Sequence, residues 1–391
     1  MKTFEEALQI VLDTSFRKGS ERVPFMKSIG RILAEDITSD LMMPPFDKSA
    51  VDGYACRKAD LGNDLELIEV VPAGKMPVKT LQAGQCIKVM TGAPVPQGAD
   101  MVIRVEDVTT PDVNRISSPA GQKKNNICLT GEDIKTGEIV LTSGTLVEPQ
   151  HIAVMAAVGA VHPLVYKKVM VAVISSGDEL VEPDKTPPLS KIRNGNAYQL
   201  CAQIEKCGAQ PDYVGIAADT EESTRKMILR ALDGNDMVLI SGGVSMGDFD
   251  FVPQVFRELG IEVLFEKVAV QPGKPTVFGK RNRQFVFGLP GNPVSAFVQF
   301  ELLVKPLIHK IGGNSLKPLM VSLPMRNNYQ RRKADRMSFI PVAINDQSEV
   351  IPLDYHGSAH INSLVEAQGF VSLAIGNKTL NKGEFVNVRF I

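Results

Sequence analysis

The chain has 391 residues, 44% hydrophobic and 22% charged, the composition of a folded protein with more than one core rather than of a disordered chain. Lys+Arg number 43 against 44 Asp+Glu, so a net charge of −1 excludes a general attraction to nucleic acid or to an anionic membrane, and any anion site must be a local cluster. The 5 cysteines form no CxxC pair, the first turn is acidic, and no apolar stretch reaches the roughly 20 residues that span a bilayer, which argues against a disulfide framework, a zinc site, a signal peptide and a membrane span; the expected location is the cytoplasm.

In chain order, Thr3 and Glu6 form a T-x-x-E capping box before Phe4, Leu8, Val11 and Leu12 at helical spacing, which predicts a helix over 4–16. From 43 to 142 short β-like runs (65–71, 85–90, 101–105, 139–141) are punctuated by Pro and Gly, as in a small β-rich unit. Residues 149–158 read as a helix, with Pro149 in its first turn and Gly159 past its end. From Lys168 strands at 169–175, 213–217, 237–241 and 285–289 alternate with helices at 198–207, 221–232, 252–259 and 293–311, which argues for a parallel sheet with helices on both faces. From 319 to 391 the chain returns to short β segments, ending on 385–391.

The chemistry gathers at strand ends. Ser175-Ser176-Gly177-Asp178-Glu179-Leu180 follows the first strand of the α/β region, Ser241-Gly242-Gly243-Val244-Ser245-Met246-Gly247-Asp248 follows the third, and Leu289-Pro290-Gly291-Asn292-Pro293-Val294-Ser295-Ala296 joins the last strand to the longest helix. Ligands of open α/β sheets bind beyond the carboxyl ends of the strands, Gly lets a backbone approach a ligand, and a helix start offers free N–H groups to an anion. One such loop is an ordinary turn; three on one sheet point to a site. No G-x-G-x-x-G follows a strand, and Gly273-Lys274 lacks the P-loop context, so a Rossmann dehydrogenase and a P-loop NTPase are disfavoured. Glu179, Asp219, Asp248 and Asp250 stand at or just after strand ends and suit a hydrated divalent cation between protein and phosphates. Asp219, just before Thr220-Glu221-Glu222, has a helix cap as its second, less favoured reading. Lys267 and Lys274 add positive charge, the latter in a stiff Pro-Gly-Lys-Pro turn that suits an oxyanion. In the β-rich region three polar turns supply Asp52, Thr91 and Asp133.

Taken together, P-x-x-D-x-S-A-V-D-G-Y-A from Pro44, M-T-G-A-P-V-P from Met90, G-E-D-I from Gly131, S-S-G-D-E-L, S-G-G-V-S-M-G-D, P-G-K-P and L-P-G-N-P-V-S-A resemble the MoeA family, which includes the gephyrin E domain. The resemblance covers most of the chain, from Pro44 to Ala296, with weaker similarity at both ends. It implies a multidomain α/β plus β protein: a discontinuous N-terminal domain (1–45 and 143–167), an inserted β-rich domain (46–142), a MogA-like three-layer α/β domain (168–318) and a C-terminal β-barrel (319–391). It further implies a homodimeric, Mg²⁺-dependent transferase of molybdenum cofactor biosynthesis that inserts molybdate into adenylylated molybdopterin with release of AMP. The cleft would lie between the α/β and barrel domains of one subunit and the inserted domain of the other, and the upstream MogA-type adenylyltransferase would be a further partner.

By the same resemblance the catalytic set is Asp52, Thr91, Asp133, Glu179, Asp219, Asp250, Lys267 and Lys274. Ser176, Gly177, Gly242, Gly243, Ser245, Pro290, Gly291, Asn292 and Ser295 would hold the molybdopterin compound; Asp52, Asp133, Glu179 and Asp250 would hold Mg²⁺; Lys274, Pro275, Ser295, Arg336 and Ser358 would cradle molybdate. The family often has Lys where this chain has Gln271, so one positive charge of that cluster is absent. Two rivals are weaker. A MogA-type adenylyltransferase would not need the Asp52 and Thr91 motifs, and a receptor-anchoring scaffold is disfavoured because the sequence shows no additional domain or long linker.

Overall fold

The computed structural model describes residues 1–245, 251–314, 317–353 and 360–391. Its largest unit is built on a six-stranded sheet in the order Gln210–Ala217, Met170–Ser176, Met237–Ser241, Gln284–Leu289, Val277–Arg281, Glu262–Phe265. The first four strands are parallel, and the last two run antiparallel to their neighbours. The sheet is therefore mixed rather than wholly parallel. The two extra strands add a hairpin edge, Val277–Arg281 turning back into Gln284–Leu289, a pairing that a parallel reading of the alternating strands and helices had no place for.

Both faces of this sheet are covered. Val171, Val173, Met237, Leu239, Phe285 and Phe287 face one way, against the helices Gly195–Lys206 and Pro293–Gln299. Ala172, Ile174, Val238, Ile240 and Val286 face the other, against Glu221–Leu232 and Val252–Glu258. The strict alternation follows from the period-2 geometry of a strand, and continuous apolar runs are what a doubly covered sheet demands. Strand Met237–Ser241 and helix Glu221–Leu232 have the bounds that their sequence predicts. The long helix expected over 293–311 is present but interrupted: an α segment to Gln299, a π turn over Phe300–Val304, and an α segment from Lys305 to Ile311. A helix pattern alone does not reveal such a turn.

The first helix, Phe4–Asp13, has the expected capping box, with Thr3 accepting from the Glu6 amide at 3.1 Å. Its apolar face buries Ala7 and Val11 in the α/β core, so it packs with that unit rather than with the small N-terminal unit in which the family resemblance placed it. That small unit joins Ser20–Arg22 to Leu164–Tyr166 and Ile37–Thr38 to Ile139–Leu141, with Leu33, Val147, Met155 and Val165 as its core. Helix Pro149–Ala157 starts on its proline, and Gly159 behind it takes φ +73°, as a helix end with glycine does.

The inserted region holds a second six-stranded sheet, in the order Met101–Arg104, Gly53–Cys56, Gln85–Val89, Asp64–Val71, Arg115–Ser117, Thr109–Asp112, with a core on each face. At the C-terminal end Met337–Ile344 pairs with Val350–Pro352 and Gly369–Leu373, which pairs with Phe385–Phe390, which pairs with Met320–Pro324. A bridge from Met325 to Val350 closes this circuit into a small barrel around Ile340, Val342, Val371 and Val388. One strand of the α/β stretch, Val270–Gln271, leaves its own sheet and pairs with Met337 and Ser338 on the barrel side.

Candidate active site

The parallel strands deliver the three Gly-bearing loops to one end of the sheet. Ser176, Glu179, Asn194, Asn196, Ser241 and Gly291 line a common cavity of about 170 Å³, which Ile361 of the C-terminal unit also reaches. Glycine is required here for contact. Gly242 has φ +101°, and a Cβ on it would collide with the Ser176 carbonyl, while Gly291 brings its own Cβ position to 3.7 Å from Gly242 Cα. Gly243, at φ +66°, lies against Val252 Cγ2, 3.1 Å from where its Cβ would be. A Cβ on Gly177 would sit 2.7 Å from Glu179 Cδ, so the Glu179 carboxylate folds back over that glycine.

Asp219 ties the first loop to the neighbouring strand end. Its Oδ1 accepts from the Ser176 hydroxyl at 3.1 Å and its Oδ2 from the Asp178 amide at 3.1 Å, and its own amide donates to Asp178 Oδ1 at 3.2 Å. The cap of helix Glu221–Leu232 is Thr220, whose hydroxyl accepts from the Ser223 amide. Of the two roles open for Asp219 in the sequence, the helix cap is thus taken by its neighbour.

Sequence reasoning passed over the segment that follows a two-residue strand at Ile192–Arg193. Asn194 caps helix Gly195–Lys206, accepts from the Ser175 hydroxyl at 2.8 Å and donates to Tyr213 Oη at 2.9 Å. The Tyr213 hydroxyl donates in turn to Glu182 Oε1 at 2.7 Å, and that of Tyr198 to Glu182 Oε2 at 2.9 Å. Burial first, and then the Glu182 hydrogen bond, push the Tyr213 phenol well above its ordinary range, so it stays a donor. Asn196 Nδ2 donates both to Ser241 Oγ at 2.8 Å and to the Gly291 carbonyl at 2.7 Å, which stitches the second and third loops together. The readable signal was Asn-Gly-Asn at a helix start, a capping pattern without the Gly-rich texture of the other loops.

The third loop leads into helix Pro293–Gln299, where Pro290 and Ser295 are buried and Gly291 and Asn292 exposed. Ser245 is exposed at the last described position of the second loop; Asp248, Asp250 and Ser358 lie outside the described residues. Lys274 is exposed on a turn that follows a cis Gln271–Pro272 bond and lies against Gln299, one helical turn beyond Ser295. Pro275 beside it and Lys267 upstream are half-buried. Arg336 precedes the residue that pairs with Val270, so the strand Val270–Gln271 brings it near this turn; its Nε lies 3.5 Å from Asp335 Oδ2.

The inserted unit builds a second cluster. Asp52 Oδ1 accepts from the Thr91 amide at 2.6 Å and the Thr91 hydroxyl at 2.8 Å. These two bonds, the backbone one larger, hold the exposed Asp52 carboxyl below its ordinary range, with help from Lys88. Asp47 repeats the arrangement, accepting from the amide and hydroxyl of Thr130, each at 2.7 Å. The Asp133 amide donates to Met43 O at 3.0 Å and its side chain is exposed. The three polar turns of the sequence thus form one stitched surface. The hydrophobic clusters beneath it contain no residue of the α/β unit, and among the described residues no group of three or more His, Cys, Asp or Glu is placed to hold a metal. No helix among them is long and apolar enough to cross a membrane.

Comparison with known proteins agrees with this layout. Three family profiles match in order: the MoeA N-terminal region (domain I and II) over residues 2–159, a probable molybdopterin binding domain over 172–310, and the MoeA C-terminal region (domain IV) over 326–391. A molybdopterin molybdenumtransferase of Bacillus subtilis (strain 168) is 33% identical over 410 residues, covering 99% of this chain and 93% of the relative. Two crystal structures of a molybdopterin biosynthesis MoeA protein from Pyrococcus horikoshii superimpose with TM-scores of 0.83 and 0.85, at 34% and 31% identity, over 99% and 100% of this chain and 98% and 100% of theirs. With its motifs in order, its three profiles end to end and full-length relatives above 30% identity, the chain belongs to the MoeA family of molybdopterin molybdenumtransferases.

Proposed function

We propose that this chain inserts molybdate into adenylylated molybdopterin and releases AMP, with Mg²⁺. The observation that carries the reading is the convergence of three loops on one cavity at the carboxyl ends of the parallel strands, where Asn196 fastens the second loop to the third and Asp219 fixes the first. The exposed Gly291 backbone ahead of helix Pro293–Gln299 suits phosphate oxygens, and the start of that helix adds its dipole. Lys274, on the turn behind that helix, with Arg336 close by in sequence pairing, suits the tetrahedral molybdate dianion.

Mg²⁺ typically takes one or two carboxylates, with water and substrate phosphates filling the other positions. Glu179, lining the cavity with both carboxylate oxygens beside Gly177, fits that demand without a full protein cage. When bound, the ion neutralises charge on the pyrophosphate. The chain's own part is to orient the phosphoryl group and fix the oxyanion beside it, which is most of what phosphoryl cleavage requires. Asp52, Thr91 and Asp133 occupy a unit with cores of its own, and by the family resemblance this surface would serve the partner's cavity in a homodimer. The test is incubation of the protein with adenylylated molybdopterin and Mg²⁺, with and without molybdate. AMP release that requires molybdate is expected; release indifferent to molybdate refutes the reading.

A further inference from the structure

The turn bearing Lys274 is anchored through three consecutive carbonyls. Pro272 O accepts from Gln299 Nε2 at 3.1 Å, Gly273 O from the Thr276 hydroxyl at 2.8 Å, and Lys274 O from the amides of Val268 and Thr276 at 3.0 and 3.1 Å. The amides of Gly273 and Lys274 have no acceptor among the described residues. Two successive amides left open beside a lysine have the composition of an anion-binding nest.

Of these anchors, Gln299 alone comes from a distant element. It is the last residue of helix Pro293–Gln299 and fully buried, between the buried apolar residues Val298 and Phe300 in the chain. Its Oε1 has no partner among the described residues. An amide in such a place is unfavourable for packing alone, because a buried polar atom without a partner is destabilising. The turn is shaped to this side chain: Gly273 has φ +108°, and a Cβ on it would lie 2.6 Å from Gln299 Cγ and 2.8 Å from Cδ. Ser295, four residues earlier, lies on the same helical face.

We infer that Gln299 is a positioning residue for the oxyanion: its carboxamide seats the Pro272–Lys274 backbone so that the Lys274 side chain and the two free amides face one tetrahedral dianion. The inference rests on the proposed molybdate insertion. It assigns to Gln299 control of molybdate capture and not of the nucleotide substrate.

The experiment uses the full-length protein with two readouts: molybdate titration of AMP release, and retention of labelled molybdate without the nucleotide substrate. In Gln299→Leu the molybdate needed for half-maximal rate rises about tenfold, as expected for a cradle displaced by a fraction of an ångström. The maximal rate and the half-saturating adenylylated molybdopterin stay within about twofold of wild type. The shift is the same at low and high ionic strength because the carboxamide is uncharged, whereas the shift caused by Lys274→Gln shrinks as salt rises. Gln299→Met keeps the length of the side chain without its donor, shows the same split, and decides the matter if Gln299→Leu does not fold. Unchanged molybdate dependence in the folded variants, or an equal loss toward both substrates, overturns the inference. A wild-type protein that neither retains molybdate nor releases AMP in its presence overturns the underlying reading instead.

Discussion

Replacing Asp219 by Ala removes the clamp between the first loop and the adjacent strand. Two acceptor bonds disappear, from the Ser176 hydroxyl and the Asp178 amide, both at 3.1 Å. Each is worth about 1 kcal/mol net at a half-exposed site, so the loss of folding stability is about 2 kcal/mol. The kinetic loss is larger. Ser176 and Glu179 line the cavity on a loop whose remaining attachments include the residue-219 amide to Asp178 Oδ1 at 3.2 Å, which the substitution keeps, Gly177 N to Ala217 O at 3.2 Å and Ile192 N to Glu179 O at 2.8 Å. A shift of about 1 Å in a substrate-positioning loop costs on the order of 100-fold in rate. Asp219→Asn keeps an oxygen for one donor and presents an NH₂ to the other, so it falls between wild type and Ala. Urea unfolding gives the stability, hydrogen exchange of the amides at 178–180 reports the loop, and AMP release gives the rate. An Asp219→Ala protein with wild-type exchange at those amides and a rate within about threefold of wild type refutes the positioning argument, whatever its stability.

Three further outcomes follow from the same geometry. Thr91→Val removes the hydroxyl that helps hold the Asp52 carboxyl down but keeps the backbone amide, so its titration moves part of the way back up. The sign is that of a depressed carboxylate: its stabilising effect is present above the ordinary carboxylate range and lost as pH falls through the folded value, and in the variant that acid limb shifts to higher pH. NMR of the Asp52 carboxyl checks this, and an unmoved titration contradicts it. Gly242→Ala forces a side chain into φ +101° and against the Ser176 carbonyl. It costs at least about 1–2 kcal/mol by chirality alone and should abolish AMP release; wild-type thermal stability would show the close approach is absent. Finally, Asp52→Asn and Glu179→Gln chains, each inactive alone, recover about a quarter of wild-type activity when mixed as dimers, because half the dimers are mixed and each keeps one intact cleft of two. No recovery in proven heterodimers rules out a shared cleft.

What the sequence disclosed depended on how local the cause was. Helix Glu221–Leu232 was legible to the residue because Thr220 caps it and its apolar spacing is regular. The three Gly-bearing loops were legible because each demand for glycine leaves a letter in the sequence. The edge strands Val277–Arg281 and Glu262–Phe265 were not, since a short apolar run does not declare its direction. Nor was the docking of the first helix: amphipathicity says that Ala7 and Val11 are buried, not against which unit. Asn194, Asn196 and Gln299 were missed for a related reason. Asn at a helix start and Gln at the end of a helical segment are ordinary locally, and only the partners that folding brings to them, Tyr213, the Gly291 carbonyl and the Pro272 carbonyl, give them roles.

The pairing of Val270–Gln271 with Met337 and Ser338 bears on how this molecule can be taken apart. The residues just before that strand are also tied to Lys2, whose amide donates to Lys267 O and whose carbonyl accepts from the Ala269 amide. The stretch before the Lys274 turn is therefore common property of the barrel and the α/β unit. A fragment cut to the α/β unit alone would carry a short strand stripped of its neighbour, with backbone donors and acceptors bare to other molecules, immediately ahead of the lysine turn. Such a fragment would be expected to self-associate through that edge and to hold the lysine at the wrong angle. Modular boundaries drawn from sequence similarity thus do not coincide with mechanical ones, and a graft between relatives would have to carry the barrel along with the turn.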